Sequence, residues 1–540
     1  MKFLFLVIGV CWYSQSFSQV EDAWVYFTDK SNTQEFLDNP VTMLTQKAID
    51  RKEKHSVPID ERDVPINENY IISIKNSQGI TYLAKSKWFN CVYVRGSVTD
   101  LRNLENFEFV ERIDFADNSL DMPSTRRNIP VLKRSGDKDK FVLETKMDFD
   151  YGAATAQTEQ LKVDVLHRQG YTGQGMTIAV MDSGFPNVGT NPAFEKARAE
   201  GRLLEGYDFV NRSEDELRGN SHGAHTFSNI AGYLEGEFVG TAPDASYHLF
   251  VTEDTATEGP KEEALWVEAA ERADSLGVDV INTSLGYLNL SDNPAYNYAP
   301  SDMDGKTAFI SRGANIAFEK GMLVVVSAGN SGNDPWEIVS APADAPGAFS
   351  IGAITANGSY ASFSSKGPTA DNRVKPDVVA RGSATAIVRS DGSVATSSGT
   401  SFSGPIIAGA MASLWQAIPE KTNTEIMQLV RESASQFTTP DTELGYGIPD
   451  FSTILQTLNL IENRVETLAI FPNPVKDILS VMTPVGEQAK ASIYAFDGKL
   501  VKKVSFQNNG NIYLSELASG LYLLQIEGKN RSYRSKFIKY

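Results

Sequence analysis

Four short segments of this 540-residue chain carry side chains that could do chemistry together. Ser401 stands in Ser398-Gly399-Thr400-Ser401-Phe402-Ser403-Gly404-Pro405, where a glycine-rich turn runs into the small and apolar residues Ile406, Ile407, Ala408, Gly409, Ala410, Met411, Ala412 and Leu414. The pattern predicts a buried helix whose N-terminus faces a cavity, with free N–H groups and a positive dipole end that favour a developing negative charge. A serine that only caps a core helix would look the same in isolation. Asp182 ends the strand-like run Ile178-Ala179-Val180-Met181-Asp182-Ser183-Gly184, and α/β folds place catalytic groups at the carboxyl ends of parallel strands. Alone, it could equally be a turn former or a metal ligand. His222-Gly223-Ala224-His225-Thr226 holds two of the five histidines, which narrows the choice of a general base. A zinc pair is the alternative, although the spacing lacks the glutamate of His-Glu-x-x-His and the further ligands a closed site needs. Asn330 ends a second strand-like run, Val324-Val325-Val326-Ser327-Ala328-Gly329-Asn330, as a turn residue or as a neutral hydrogen-bond donor.

Taken together, the four supply what acyl transfer requires: a hydroxyl nucleophile, an imidazole to take its proton, a carboxylate to fix the tautomer, and a donor for the oxyanion. On these segments the chain resembles the subtilisin-like serine proteases, in which the triad runs Asp, His, Ser along the chain. Supporting matches are Gly240-Thr241-Ala242-Pro243, Val280-Ile281-Asn282-Thr283-Ser284-Leu285-Gly286, and Phe363-Ser364-Ser365-Lys366-Gly367-Pro368 leading to Lys375-Pro376-Asp377-Val378-Val379-Ala380. The family more often shows Thr at position 224, Val at 226, and Met-Ala-Ser or Met-Ala-Thr where Phe402-Ser403-Gly404 stands. None of these departures removes a catalytic atom, so they bear on pocket shape.

The resemblance implies that His222 deprotonates Ser401, that Asp182 orients His222, and that Asn330 and the Ser401 N–H hold the oxyanion. It also implies that Ser284-Leu285-Gly286 and Ser327-Ala328-Gly329 are the backbone walls between which a substrate peptide lies as an added strand. The expected substrate is a peptide or protein.

The elements that must position these groups follow from pattern. Residues 151–458 alternate apolar strands (177–181, 278–282, 322–327) with helical stretches (261–276, 308–320, 402–417), the signature of α/β with a parallel sheet covered by helices on both faces, which the resemblance implies is subtilisin-like. Ahead of it, residues 19–118 read as a small α+β proregion, with strands expected at 24–27, 70–74, 91–94 and 109–113 and helices at 45–54 and 98–104. By position this module resembles subtilase proregions, which implies a folding chaperone and an intramolecular inhibitor. Residues 119–150 are polar and carry Arg126-Arg127 and Lys133-Arg134, an exposed linker with candidate processing sites. Residues 459–540 show short alternating runs and turns, the pattern of a small β-sandwich. Phe471-Pro472-Asn473-Pro474, Asp497-Gly498-Lys499, Leu517-Ala518-Ser519-Gly520-Leu521-Tyr522 and Lys536-Phe537-Ile538-Lys539 resemble the type IX secretion sorting domain of Bacteroidetes, which implies outer-membrane secretion machinery as a partner. A carbohydrate-binding or adhesive sandwich is the alternative for this segment.

Residues 1–18 have the form of a secretory signal peptide, with an apolar run from Phe3 to Tyr13 and a small-x-small cut after Ser18. Secretion or cell-surface location is therefore expected. Of the two cysteines, Cys11 leaves with that segment, so no disulfide framework remains. With 50 Lys plus Arg against 68 Asp plus Glu, a net charge of -18 and no basic block, nucleic acid is not an expected partner. No particular cofactor is indicated. Structural calcium is admissible, and the acidic loop Asp302-Met303-Asp304-Gly305 is a candidate without the ligand spacing of a known calcium loop. Two rival functions remain at this stage: a serine-carboxyl peptidase, which pairs its Gly-Thr-Ser with Glu and Asp, and a non-catalytic surface protein on the same scaffold.

Overall fold

The computed structural model describes residues 20–121, 149–288, 293–463, 469–482, 488–507, 510–527 and 532–540. The signal segment 1–18, Cys11 and both dibasic pairs lie outside the described residues. The chain forms two compact units that part after Ser452, and among the described residues no helix is long and apolar enough to cross a membrane.

The first unit is built on a seven-stranded sheet. In spatial order its strands are Val378–Arg381, Ala348–Ile354, Leu323–Ser327, Val280–Thr283, Thr177–Asp182, Ser246–Val251 and Tyr207–Asp208, every pairing parallel. Strands buried on both faces need no polar alternation, which is why these segments read as unbroken apolar runs. Strand Thr177–Asp182 sits where the chain order reverses, with Ser246–Val251 on one side and Val280–Thr283 on the other. Such a switch point opens a crevice at the carboxyl ends of the strands. Helix Thr400–Ala417 is buried from Thr400 to Trp415 and crosses the sheet face at its centre.

A four-stranded antiparallel sheet, ordered Thr81–Ser86, Cys91–Ser97, Val20–Phe27, Val110–Phe115, forms the N-terminal module expected to be the proregion. The strands expected at 24–27, 91–94 and 109–113 and the helices at 45–54 and 98–104 all find counterparts. The segment 70–74 does not: Glu68–Lys75 is a helix. Its β-branched run imitates a strand, but Asn67 caps the first turn through the Asn69 N–H at 3.0 Å, and Ile71 and Ile74 bury at helical spacing while Ile72 is exposed. The free thiol of Cys91 is buried.

One apolar cluster runs through the proregion into the main sheet, joining Trp24, Trp88 and Tyr93 to Trp266, Phe309 and Val324. Trp24 stacks on Phe309 with ring centroids 5.0 Å apart. Beside it lies a buried charge network. Arg51 and Lys52 of the proregion meet Asp274 of helix Pro260–Leu276, Lys52 at 2.8 Å. Lys320 reaches back to Asp63 at 2.7 Å and Asp60 at 2.9 Å.

The second unit carries two antiparallel sheets. One is ordered Ala469–Phe471, Ile478–Met482, Gly510–Tyr513, and the other Leu500–Gln507, Gln488–Ala495, Gly520–Glu527, Ser532–Lys539. Their shared core includes Val475, Leu479, Ile493, Ile512, Leu524, Ile526 and Phe537. The burial alternation along Gly520–Glu527 is what period-two patterning requires of a half-buried strand.

Candidate active site

Asp182 is the last residue of its strand and is wholly buried. Its Oδ1 accepts from the Ser183 N–H at 2.7 Å, from the Ser183 hydroxyl at 3.1 Å and from His222 Nδ1 at 2.7 Å. Its Oδ2 accepts from the Thr226 hydroxyl at 3.1 Å. A carboxylate only accepts, so the Asp182 contact places a proton on His222 Nδ1 and leaves Nε2 as the basic nitrogen.

His222 begins helix His222–Ala231, and its own N–H is capped by Asn220 Oδ1 at 2.9 Å. Gly223 lets that helix approach the strand, since a Cβ there would lie 2.9 Å from the Asp182 Cβ. Thr226, one turn on, supplies the donor to Oδ2. This hydroxyl stands where the family more often has Val, so the departure adds a hydrogen bond to Asp182. Burial acts to lower the His222 pKa, but the charge of Asp182 and its hydrogen bond outweigh it and the pKa is raised, with a smaller contribution from Glu253. His225 goes the other way, lowered by burial and then by the charge of His222.

Ser401 is the second residue of helix Thr400–Ala417. Gly399 before it takes φ 152°, a conformation side chains resist. Phe402 brings the helix start against the imidazole, its ring centroid 6.1 Å from that of His222. The Ser401 hydroxyl donates to the Ser284 carbonyl at 3.4 Å. The Ser401 N–H has no acceptor among the described residues.

Asn330 is exposed at the end of its strand segment. Its Oδ1 accepts from the Thr400 N–H at 2.8 Å and the Thr400 hydroxyl at 3.0 Å. The amide lies beside Gly399, where an added Cβ would be 3.7 Å from Nδ2. The amide is thus fixed by the helix start that holds Ser401. Ser327 donates to the Thr400 carbonyl at 2.8 Å.

The two expected walls flank this point, Ser284-Leu285-Gly286 leaving strand Val280–Thr283 and Ser327-Ala328-Gly329 leaving the neighbouring strand. Sequence reasoning missed Glu253, Glu258 and Glu262, whose carboxylate oxygens lie within 4.8 Å of one another. Glu253 accepts from the Tyr287 hydroxyl at 2.7 Å, and Glu262 from the N–H groups of Asp254 at 2.7 Å and Gly259 at 3.1 Å. Burial raises the pKa of both. In the loop considered for calcium, Asp304 accepts from the Lys306 and Thr307 N–H groups, both at 2.8 Å, and Asp302 from the Ala299 N–H at 2.8 Å.

Comparison with known proteins gives the chain a family. Residues 173–447 match the Subtilase family model, residues 22–130 the peptidase S8 propeptide domain of Bacteroidota, and residues 469–540 the secretion system C-terminal sorting domain. Serine protease AprX of Bacillus subtilis is 28% identical over 322 residues, covering 54% of this chain and 68% of AprX. Subtilisin E of the same organism is 29% identical over 303 residues, covering 55% and 69%. Among solved structures, MycP1 from Mycobacterium smegmatis aligns with a TM-score of 0.44 at 24% identity, covering 58% of this chain and 86% of that one.

The chain belongs to the subtilase family. It is a subtilisin-like serine protease, carried in a precursor with a propeptide and a tail for secretion or the cell surface.

Proposed function

We propose that this protein is an exported serine endopeptidase in which Asp182, His222 and Ser401 form the catalytic triad and Asn330 completes the oxyanion hole. The observation that carries it is the 2.7 Å contact of His222 Nδ1 with Asp182, made by an imidazole that packs against the residue following Ser401. Ser401 Oγ attacks the scissile carbonyl carbon while its proton passes to His222 Nε2. The Ser401 N–H and Asn330 Nδ2 hold the resulting oxyanion. Collapse breaks the C–N bond, the amine leaves with the proton from Nε2, and water, deprotonated by the same nitrogen, hydrolyses the acyl-enzyme. The Ser401 hydroxyl turns about χ1 from the Ser284 carbonyl to meet His222, a tightening common on passing from free to substrate-bound enzyme. Substrate lies as an added strand between Ser284-Leu285-Gly286 and Ser327-Ala328-Gly329.

In the same reading, residues 1–18 are removed on export and residues 19–118 inhibit the protease until cleavage within 119–150. Residues 151–458 then form the working enzyme, and 459–540 direct passage through the outer membrane. The family match and the Asp182–His222 contact support this over a serine-carboxyl peptidase or an inert scaffold.

Mass spectrometry of the secreted protein, alone and after incubation with a peptide library, tests the proposal by reporting its termini and its cleavage products. Internal cleavage of peptides that falls off on acidification is expected, because His222 must be neutral to act. Activity that rises on acidification would return the serine-carboxyl reading. Asn330→Ala is expected to lower kcat by roughly 100- to 1000-fold, the size seen for such a donor in subtilisin; unchanged turnover would remove Asn330 from the mechanism.

A further inference from the structure

The helix that carries Ser401 has Pro405 inside it. Proline has no N–H, so the carbonyl four residues earlier loses its helical donor, and the ring pushes that carbonyl aside. The carbonyl in question is that of Ser401. Both Ser401 and Pro405 are buried, and a buried carbonyl without a donor is costly.

The missing donor comes from the segment that leaves strand Val280–Thr283. The hydroxyl of Ser284, itself buried, donates to the Ser401 carbonyl at 3.0 Å. The Ser401 hydroxyl donates in return to the Ser284 carbonyl at 3.4 Å. Asn282 Nδ2 approaches the Ser284 hydroxyl at 3.5 Å. Each serine thus holds the backbone of the other.

We infer that the Ser284 hydroxyl is a positioning group for the nucleophile, required because Pro405 frees the Ser401 carbonyl. Its main chain is a wall of the substrate groove, whereas its side chain fixes the peptide plane that follows Ser401. An error of about 1 Å in such placement can cost on the order of 100-fold in rate. The inference rests on Ser401 being the nucleophile. It adds that a carbonyl never in contact with substrate sets how well the nucleophile works.

A double-mutant cycle on the full chain, secreted and processed, tests it. Ser284→Ala is expected to lower kcat by about 10- to 100-fold with KM within about twofold. Pro405→Ala restores an N–H at position 405 that can take over the Ser401 carbonyl, so in that background Ser284→Ala should cost less than about threefold. Equal losses in the two backgrounds, a loss confined to KM, or a wild-type rate for Ser284→Ala overturns the inference. Should Ser284→Ala fail to accumulate, recovery of folded protein by the double variant supports it, and failure of both alike counts against it. Labelling of wild-type Ser401 by a fluorophosphonate separates the two claims: without it the nucleophile assignment fails, whatever the cycle shows.

Discussion

The cleft at the carboxyl end of the sheet and the seam under the proregion are built from different materials. At the cleft, short neutral groups do most of the holding: Ser327 on Thr400, Ser284 on Ser401, Thr400 on Asn330, with Asp182–His222 the ionisable pair at the centre. At the seam, three cations (Arg51, Lys52, Lys320) face three carboxylates (Asp60, Asp63, Asp274), and Lys52, Asp63, Asp274 and Lys320 are almost wholly buried. Glu271 adds three contacts to the proregion, from the Ser86 hydroxyl at 2.5 Å and from the N–H groups of Lys87 and Trp88, both at 2.9 Å. Neutral hydrogen bonds keep their strength over a wide pH range and suit a site that must stay in register. Buried charges contribute little net stability when paired and are severely destabilising when one partner is removed.

The largest effect should come at the cleft. Ser401→Ala is expected to remove turnover by on the order of 10⁶-fold, the size seen on removing the nucleophile of subtilisin, while the precursor folds and stays unprocessed. A steady-state assay with intact-mass measurement checks both halves. That uncut precursor is then the material for the seam. Asp274→Ala would leave Arg51 and Lys52 buried without their partner and should destabilise the assembled precursor by about 3–5 kcal/mol in urea unfolding. A change within experimental scatter would mean that the seam is solvated and the contrast with the cleft false.

A third effect depends on pH. Burial pushes the Glu271 carboxyl up to about 7, against the pull of Lys87 and the three hydrogen bonds. A carboxyl raised in the assembled state binds protons there that it does not bind when free. Its contribution to holding the proregion is therefore complete below the ordinary carboxylate range and is lost as pH rises through about 7. Proregion inhibition of the processed enzyme should weaken between about pH 5 and pH 8, and Glu271→Gln should flatten that dependence. The smallest effect returns to the cleft, where the charge of Glu253 is one of the influences that raise His222. Glu253→Gln should shift the acid limb of kcat/KM to lower pH by a fraction of a unit, and a shift upward would exclude that coupling.

The strands and helices around the candidate site were legible because they are long buried runs ended by turns, and those ends are what single out Asp182, Asn330 and Ser401 as candidates, with His222 opening a helix of its own. The Glu68–Lys75 helix was not, since Ile71-Ile72-Ser73-Ile74 satisfies a strand pattern and only the Asn67 cap and the exposure of Ile72 tell otherwise. The hydroxyls of Thr226, Ser284 and Ser327 were unreadable for another reason: their partners lie far along the chain, and a short polar side chain has no periodicity. Pro405 was the available signal, because a proline inside an apolar helical run announces a carbonyl in need of a donor. The seam was unreadable as well. Arg51-Lys52-Glu53-Lys54 has the look of a solvated face, yet Arg51 and Lys52 are buried by a partner some 220 residues away in sequence.

The central claim is that Ser401 is a nucleophile activated by His222, and covalent labelling of the secreted, processed protein by a fluorophosphonate, followed by peptide mapping, tests it most directly. One label on Ser401, lost in the His222→Ala variant, is the expected result. A folded, processed sample that takes no label, or takes it on another residue, would contradict it.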